Sequence, residues 1–223
     1  MTAIDASQVA SRVAQIRERL NRAGGKDVEV IAVTKTFDVS AMIAAFDAGV
    51  EGIGENYAQE LISKIRDLPT IKKLPIHFIG RLQTNKVKSL ADTVDVWQTV
   101  DRPELIAEIA KRCVKTDSMA RSTIMLQVNS TNETDKGGCQ PNQVEQLLQF
   151  ALSKGLEVLG LMTVGPTDGD PQRARVGFKL VRKLADDLGL SKCSMGMTGD
   201  LEIAVGEGAT MIRVGSALFG PRS

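Results

Sequence analysis

The strongest constraint on this chain is an alternation of short apolar segments with helical segments, which repeats eight times. The apolar segments are too short for helices and rich in β-branched residues, which is typical of strands buried on both faces. Strands that alternate with helices run parallel, and eight repeats favour a closed (β/α)8 barrel. A doubly wound sheet is the alternative, but no Gly-x-Gly-x-x-Gly motif follows the first strand, so a dinucleotide site has no support. We predict an α/β fold in which residues 1–223 form a single domain.

The boundaries of the helices and strands are predicted from apolar periodicity, helix-capping residues and the Gly and Pro residues that end an element. The predicted strands are Val30–Lys35, Gly52–Gly54, Ile76–Gly80, Val94–Val100, Ser122–Val128, Leu156–Met162, Lys192–Met195 and Thr210–Val214. The predicted helices include Asp5–Arg22, Pro103–Cys113, Pro141–Ala151 and Gln172–Leu188. Either Asp38 or Ser40 can cap the helix that follows the first strand. Asn129–Gln140 is polar, contains two glycines and is predicted to be a loop.

Composition excludes several classes of function. The formal net charge is +1 and aromatic residues make up 4% of the chain, so no nucleic-acid surface is expected. Three cysteines, Cys113, Cys139 and Cys193, lie far apart and form neither a disulfide framework nor a metal-ligand spacing. No apolar run approaches the ~20 residues that span a bilayer, and the first residues do not resemble a signal peptide. We therefore expect a cytoplasmic protein without a membrane partner.

The first strand leads directly into Lys35, at the end where α/β barrels place their chemistry. Burial against apolar walls lowers the pKa of an amine and makes it a nucleophile toward aldehydes. The alternative is a solvated lysine that begins a loop, and charged residues are mostly exposed. The rest of the chain favours the reactive lysine.

The other strand ends supply amides, hydroxyls, guanidinium groups and one imidazole. In chain order these positions are Lys35, Asn56, His77, Arg81, Gln127, Asn129, Met162, Ser194, Arg213, Gly215 and Ser216. The set has no paired carboxylates, so glycoside chemistry has no support. It also lacks a His/Cys/Asp cluster, so we expect no catalytic metal.

Two glycine-containing loops follow the last two strands. They are Ser194–Asp200 and Arg213–Ser216. In (β/α)8 barrels these loops commonly bind phosphate through backbone N–H groups at a helix N-terminus. The alternative is that Gly196 and Gly199 are ordinary turn residues. A reactive lysine and a phosphate cradle at one barrel mouth suit an aldehyde that carries a phosphate, and pyridoxal 5′-phosphate (PLP) is the common molecule of that type.

Several motifs resemble the pyridoxal phosphate homeostasis protein family, in order and across essentially the whole chain. They are Ala32-Val33-Thr34-Lys35, Gly54-Glu55-Asn56, His77-Phe78-Ile79-Gly80-x-Leu82-Gln83-x-Asn85-Lys86, Leu161-Met162-Thr163, Ser194-Met195-Gly196-Met197-Thr198-x-Asp200 and Ile212-Arg213-x-Gly215-Ser216-x-x-Phe219-Gly220. The resemblance implies a modified TIM barrel like the N-terminal domain of alanine racemase (fold type III). It also implies PLP bound as a Schiff base.

The resemblance assigns a role to individual residues. Lys35 matches the Schiff-base lysine, Arg213 the arginine that faces the pyridine nitrogen, and Asn56 an asparagine near the ring. A guanidinium keeps its proton, so the ring nitrogen would stay unprotonated and the cofactor would be a weaker electron sink. An ion pair inside the barrel is the alternative for Arg213. His77, the only histidine, could act at the cofactor site or be a hydrogen-bonded core imidazole on the third strand. Met162 could pack on the cofactor or be an ordinary barrel residue.

The phosphate-binding segments of the family match Ser194, Thr198, Gly215 and Ser216, without indicating which donor makes which bond. Arg81 occupies a variable position of the family, where it could add positive charge at the mouth or simply be solvated.

The resemblance implies a carrier rather than an enzyme. Racemisation of the alanine racemase type needs a second acid/base, a tyrosine from a β-domain, and we expect no room for that domain after the eighth strand. The only tyrosine, Tyr57, directly follows the Gly54-Glu55-Asn56 motif and so does not match the catalytic tyrosine of the racemase. Without an opposing base, efficient two-base racemisation is not expected. We expect a monomer that binds PLP, limits free aldehyde and delivers the cofactor to apo-enzymes; a low-activity PLP-dependent amino-acid racemase is the alternative.

Overall fold

The computed structural model describes residues 4–69, 74–113 and 123–220 and contains a closed barrel. Eight parallel strands pair in chain order, and the last pairs with the first. The strands are β1 (Glu29–Val33), β2 (Gly52–Glu55), β3 (Ile76–Phe78), β4 (Val96–Val100), β5 (Thr123–Gln127), β6 (Glu157–Met162), β7 (Lys192–Ser194) and β8 (Met211–Val214). The predicted (β/α)8 barrel is therefore confirmed.

Helices surround the barrel and connect its strands. They are α1 (Ala6–Arg22), α2 (Val39–Asp47), α3 (Ala58–Asp67), α4 (Val87–Leu90), α5 (Pro103–Cys113), α6 (Val144–Ser153), α7 (Pro171–Asp187), α8 (Leu201–Gly206) and α9 (Ser216–Phe219). Asp38 caps α2 by accepting a hydrogen bond from the Ser40 amide at 2.9 Å. None of the described helices is both long and apolar enough to span a membrane.

Several predicted boundaries differ from the structure. β1 ends at Val33 rather than Lys35, because the chain turns there and Thr36 has a φ of 70°. The segment that begins at Pro141 starts as a 3-10 turn, and α6 begins only at Val144. The predicted first residue of the fifth strand, Ser122, lies outside the described residues.

The side chains form two apolar layers because strand residues alternate between the two faces of the barrel wall. The outer layer packs between strands and helices and includes Val30 and Ala32. The residue between them, Ile31, belongs to a separate inner cluster. That inner cluster consists of Ile31, Val96, Met125, Met162 and Met211. It forms the apolar part of the barrel interior and gives the site an apolar floor.

Glycines allow close approach at two points around the site. A Cβ atom at Gly52 would lie 2.8 Å from the His77 ring, so the inner face of β2 has room for that imidazole only without a side chain. A Cβ atom at Gly80 would lie 2.0 Å from the backbone oxygen of Asn56. The loop after β3 therefore packs directly against the loop after β2.

Candidate functional site

Most of the residues predicted from the sequence lie at the carboxyl ends of the strands or in the loops that follow them. Lys35 and Asn56 follow β1 and β2, which are neighbouring strands paired as far as Val33 and Gly54. Lys35 is half-buried. Met162 and Ser194 end β6 and β7, and Arg213 lies in β8. His77 lies within β3.

Hydrogen bonds hold the turn that carries Lys35 on both sides. Before it, the Thr34 hydroxyl donates to Glu55 Oε1 at 2.6 Å, and Lys64 Nζ donates to the Thr34 carbonyl at 2.7 Å. After it, the Thr36 amide donates to Glu60 Oε1 at 2.6 Å. Because these contacts fix the backbone at both neighbours, they restrict where the Lys35 side chain starts.

An ion pair lies beneath this turn, with both partners buried. Lys64 Nζ is 2.7 Å from Glu55 Oε1, and the two side chains are 5% and 0% exposed. Burial raises the pKa of Glu55, while the charge and hydrogen bond of Lys64 act in the opposite direction. A pair this deep is costly to break, because either partner left alone keeps a buried charge. The pair therefore ties α3 to the Lys35 turn.

A chain of buried hydrogen bonds crosses the barrel interior. Gln98 Nε2 contacts His77 Nδ1 at 2.8 Å, and Ser194 Oγ donates to Gln98 Oε1 at 2.6 Å. Arg213 Nη1 donates to Ser194 Oγ at 2.6 Å, and Nη2 donates to the Thr163 carbonyl at 2.7 Å. Strands β3, β4, β7 and β8 and the end of β6 are thus joined through polar side chains.

This network assigns a protonation state to His77. Gln98 Oε1 accepts from Ser194, so it is Gln98 Nε2 that faces the imidazole and donates to His77 Nδ1. With Nδ1 as the acceptor, the proton of the neutral ring is assigned to Nε2. Burial lowers the pKa of His77 to about 4. The ring is therefore neutral near pH 7, and its surroundings are those of a hydrogen-bonded core imidazole.

Arg213 is a buried cation held by neutral groups. It is 4% exposed, and burial lowers its pKa to about 10, so it stays protonated at neutral pH. Within the described ranges its side-chain hydrogen bonds go only to Ser194 and the Thr163 carbonyl, and it takes part in no ion pair. The charge of Asp200 favours the protonated form of Arg213 without an ion pair between the two. A buried guanidinium whose hydrogen bonds go to neutral groups is suited to a ligand that offers an acceptor or a negative charge.

The loop after β7 lies against β8, and the loop after β8 lies against the end of β1. The Arg213 amide in β8 donates to the Gly196 carbonyl at 3.0 Å. A Cβ atom at Gly215 would be 3.2 Å from the Val33 oxygen, close to the Lys35 turn. Thr198 is half-buried and Ser216 is exposed. The predicted phosphate loops therefore adjoin the predicted Schiff-base lysine.

Ser194 differs from the other predicted phosphate-site residues. Its side chain is fully buried, and its hydroxyl already bonds both Gln98 and Arg213. In this arrangement the hydroxyl supports the guanidinium. Met162 is 2% exposed and belongs to the inner apolar cluster.

Sequence reasoning missed the residues that orient the predicted ones. Gln98 is central to the buried network. The sequence hint for it was a side-chain amide in the middle of a mostly apolar strand. Lys64 and Glu60 had no such signal, because charged residues on an amphipathic helix are usually solvated. The described residues contain no group of three or more His, Cys, Asp or Glu side chains that could hold a metal ion.

Comparison with known proteins identifies relatives over nearly the full length. A family model described as alanine racemase, N-terminal domain, matches residues 4–223. A pyridoxal phosphate homeostasis protein of Aquifex aeolicus is 36% identical in sequence, and the match covers 97% of this chain and 96% of the Aquifex protein. The structure of PipY of Synechococcus elongatus with PLP bound is 31% identical, with a TM-score of 0.78 over 95% of this chain and 100% of that one. An alanine racemase of Clostridium difficile has a TM-score of 0.78 at 15% identity, over 98% of this chain and 58% of that one, which shows the shared fold alone.

Proposed function

Because this chain belongs to the pyridoxal phosphate homeostasis protein family and has the alanine racemase N-terminal domain fold, we propose that it binds PLP at the barrel mouth. The observation that carries the proposal is the placement of Lys35 in a fixed turn, beside loops that also hold the buried Arg213. The homeostasis name of its relatives and the PLP-bound PipY support the same ligand.

The residues present fit this cofactor. Arg213 is a buried, protonated donor whose side-chain hydrogen bonds within the described residues all go to neutral groups, and it suits a ring nitrogen that acts as an acceptor. Asn56 Oδ1 is buried and has no hydrogen-bond partner in the described part of the chain, which suits a ligand donor. Thr198, Gly215 and Ser216 offer hydroxyl and backbone donors for a phosphate. When bound, PLP supplies an aldehyde, and we propose that it is held as a Schiff base on Lys35.

Each residue contributes to binding and orientation. Glu55, Glu60 and Lys64 hold Thr34 and Thr36, so the position from which the Lys35 side chain starts is fixed. Ser194 and Gln98 hold Arg213 in place, and Arg213 keeps its proton. The apolar floor that includes Met162 keeps water from beneath the site.

We propose a carrier rather than a catalyst. His77 is buried, neutral and already bonded to Gln98, so it is poorly placed to exchange protons with a substrate at the mouth. Tyr57 is 53% exposed, in the loop after β2. In the proposed role, the protein is a monomer that holds PLP, limits free aldehyde and releases the cofactor to apo-enzymes.

Transfer and racemisation assays test this proposal. Protein loaded with PLP and freed of excess ligand is mixed with the apo-form of a PLP-dependent transaminase. We expect transaminase activity to return with the loaded wild type and not with Lys35→Ala treated identically. The loaded protein should racemise L-alanine no faster than free PLP does. Racemisation well above that rate, lost in Lys35→Ala, would contradict the carrier role.

A further inference from the structure

Two of the sequence motifs meet in a cleft that shares only Asn56 with the proposed PLP site. Asn56 ends the Gly54-Glu55-Asn56 motif, and Gln83 and Lys86 belong to the motif that begins at His77. Both line a cleft of about 870 Å³, formed by the loops after β2, β3 and β4. The loops after β7 and β8 do not contribute to this lining. A cleft of this size is in the usual range of small-molecule sites.

The cleft has a positive charge that its own residues leave uncompensated. Arg81, Lys86 and Arg102 line it, against the single carboxylate of Asp101. Asp101 is already engaged, because it pairs with Arg102 Nη1 at 2.7 Å and accepts from the Gly138 amide at 3.2 Å. Within residues 4–69, 74–113 and 123–220, neither Arg81 nor Lys86 has a side-chain hydrogen bond or an ion pair. Two cations facing one concave surface raise the local concentration of anions.

The cleft meets the proposed cofactor site at Asn56. Asn56 follows β2, and Lys35 lies in the turn after β1, the strand that pairs with β2. Because Asn56 Oδ1 is assigned to the proposed cofactor, the cations of the cleft carry the second site. Tyr57 adds an exposed ring to the wall.

We propose that this cleft is a second ligand site, separate from the phosphate cradle, that takes a small organic anion. Its phosphate or carboxylate group would lie between Arg81 and Lys86. The relation of this site to a bound cofactor rests on the proposed function, whereas the anion site itself does not. Because the loops after β7 and β8 do not line the cleft, an anion can bind there while those loops hold a phosphate.

Calorimetric titration of a protein with its first site blocked tests the proposal. PLP is added, fixed with borohydride and freed of excess ligand. The product is then titrated at low ionic strength with inorganic phosphate, PLP and L-glutamate in separate experiments. We expect one further equivalent of at least one probe to bind. Binding of phosphate or PLP would indicate a phosphate ligand, and binding of L-glutamate alone a carboxylate ligand.

Three variants locate the bound anion. Arg81→Gln and Lys86→Gln should each weaken binding about tenfold or more, because each removes a charge-assisted hydrogen bond. Lys88→Gln is the matched control, since Lys88 is an exposed cation on α4 outside the cleft lining, and its affinity should be unchanged. Failure of all three probes to bind, or binding that Arg81→Gln and Lys86→Gln retain, would overturn the proposal.

The anion site and the Schiff base on Lys35 can fail independently in these experiments. If borohydride fixes no PLP, the Schiff-base proposal fails, and the untreated protein is titrated with the same probes. Anion binding that depends on Arg81 and Lys86 would then still support the cleft site. Binding that is indifferent to both variants would overturn it.

Discussion

Removing Lys64 should destabilise the protein strongly, although this residue lies on a surface helix. Its amine is 2.7 Å from Glu55 Oε1 and 2.7 Å from the Thr34 carbonyl, and its side chain is only 5% exposed. Lys64→Met keeps the apolar stem and leaves Glu55 as a buried carboxyl without its cation. Breaking a buried pair in this way costs about 3–5 kcal/mol.

The cost should also depend on pH in a defined direction. Burial already raises the pKa of Glu55 above its unfolded value, and Lys64 limits that rise. Without Lys64 the pKa of Glu55 is higher still, so the folded state binds this proton more tightly than the unfolded state. Stability is then lost as pH rises through the folded pKa. The deficit of Lys64→Met relative to wild type should therefore be larger at pH 8 than at pH 5.

Urea unfolding at the two pH values measures both effects. With a slope of about 3 kcal/mol/M, the midpoint should fall by roughly 1 M or more at pH 8. Lys183→Met is the matched control, because Lys183 pairs with Asp187 on α7 and is 71% exposed, so its loss should cost less than about 0.5 kcal/mol. The double variant Glu55→Gln/Lys64→Met should recover part of the loss. Equal midpoints for Lys64→Met and Lys183→Met would refute the reasoning.

Three further predictions follow from the interior. Folding lowers the pKa of His77 from 6.5 to about 4, so the stability of the protein should decrease by up to about 3 kcal/mol as pH falls through that range. His77→Gln should remove this pH dependence, as measured by urea unfolding at several pH values. Gln98→Leu should cost about 1–3 kcal/mol, because the buried Ser194 hydroxyl loses its acceptor and the buried His77 Nδ1 loses its donor. An unchanged melting temperature would contradict this. Gly80→Ala should cost about 3 kcal/mol or more, because its Cβ would lie 2.0 Å from a backbone oxygen, whereas Gly199→Ala, with open space, should have little effect in the same melting assay.

The fold was predictable because its signal is local and repeated. Each apolar segment is followed by helical periodicity, and parallel pairing then determines which strand ends share one mouth. This is why Lys35, Asn56 and Arg213 could be assigned to one end of the barrel from the chain alone. The end of β1 was placed two residues too late, because the positive φ of Thr36 depends on the tertiary contact with Glu60.

The supporting residues were less predictable, because their roles arise from contacts between distant segments. Lys64 has the sequence context of a solvated helix residue, and only packing of α3 against the Lys35 turn buries it. Ser194 looked like a phosphate donor because of its glycine-rich context. The structure engages its hydroxyl with Gln98, 96 positions away in the chain, and with Arg213.

Covalent trapping at Lys35 tests the central claim most directly. The protein is incubated with PLP, reduced with borohydride and digested, and its peptides are analysed by mass spectrometry. Lys35→Ala and Lys26→Ala are treated in the same way. Lys26 is the control because it is an exposed lysine in the loop before β1. The account predicts a single stoichiometric pyridoxyl adduct on the Lys35 peptide of wild type and Lys26→Ala, and none in Lys35→Ala. A wild-type protein that gains no adduct, or gains it at another lysine while Lys35 stays unmodified, would contradict the account.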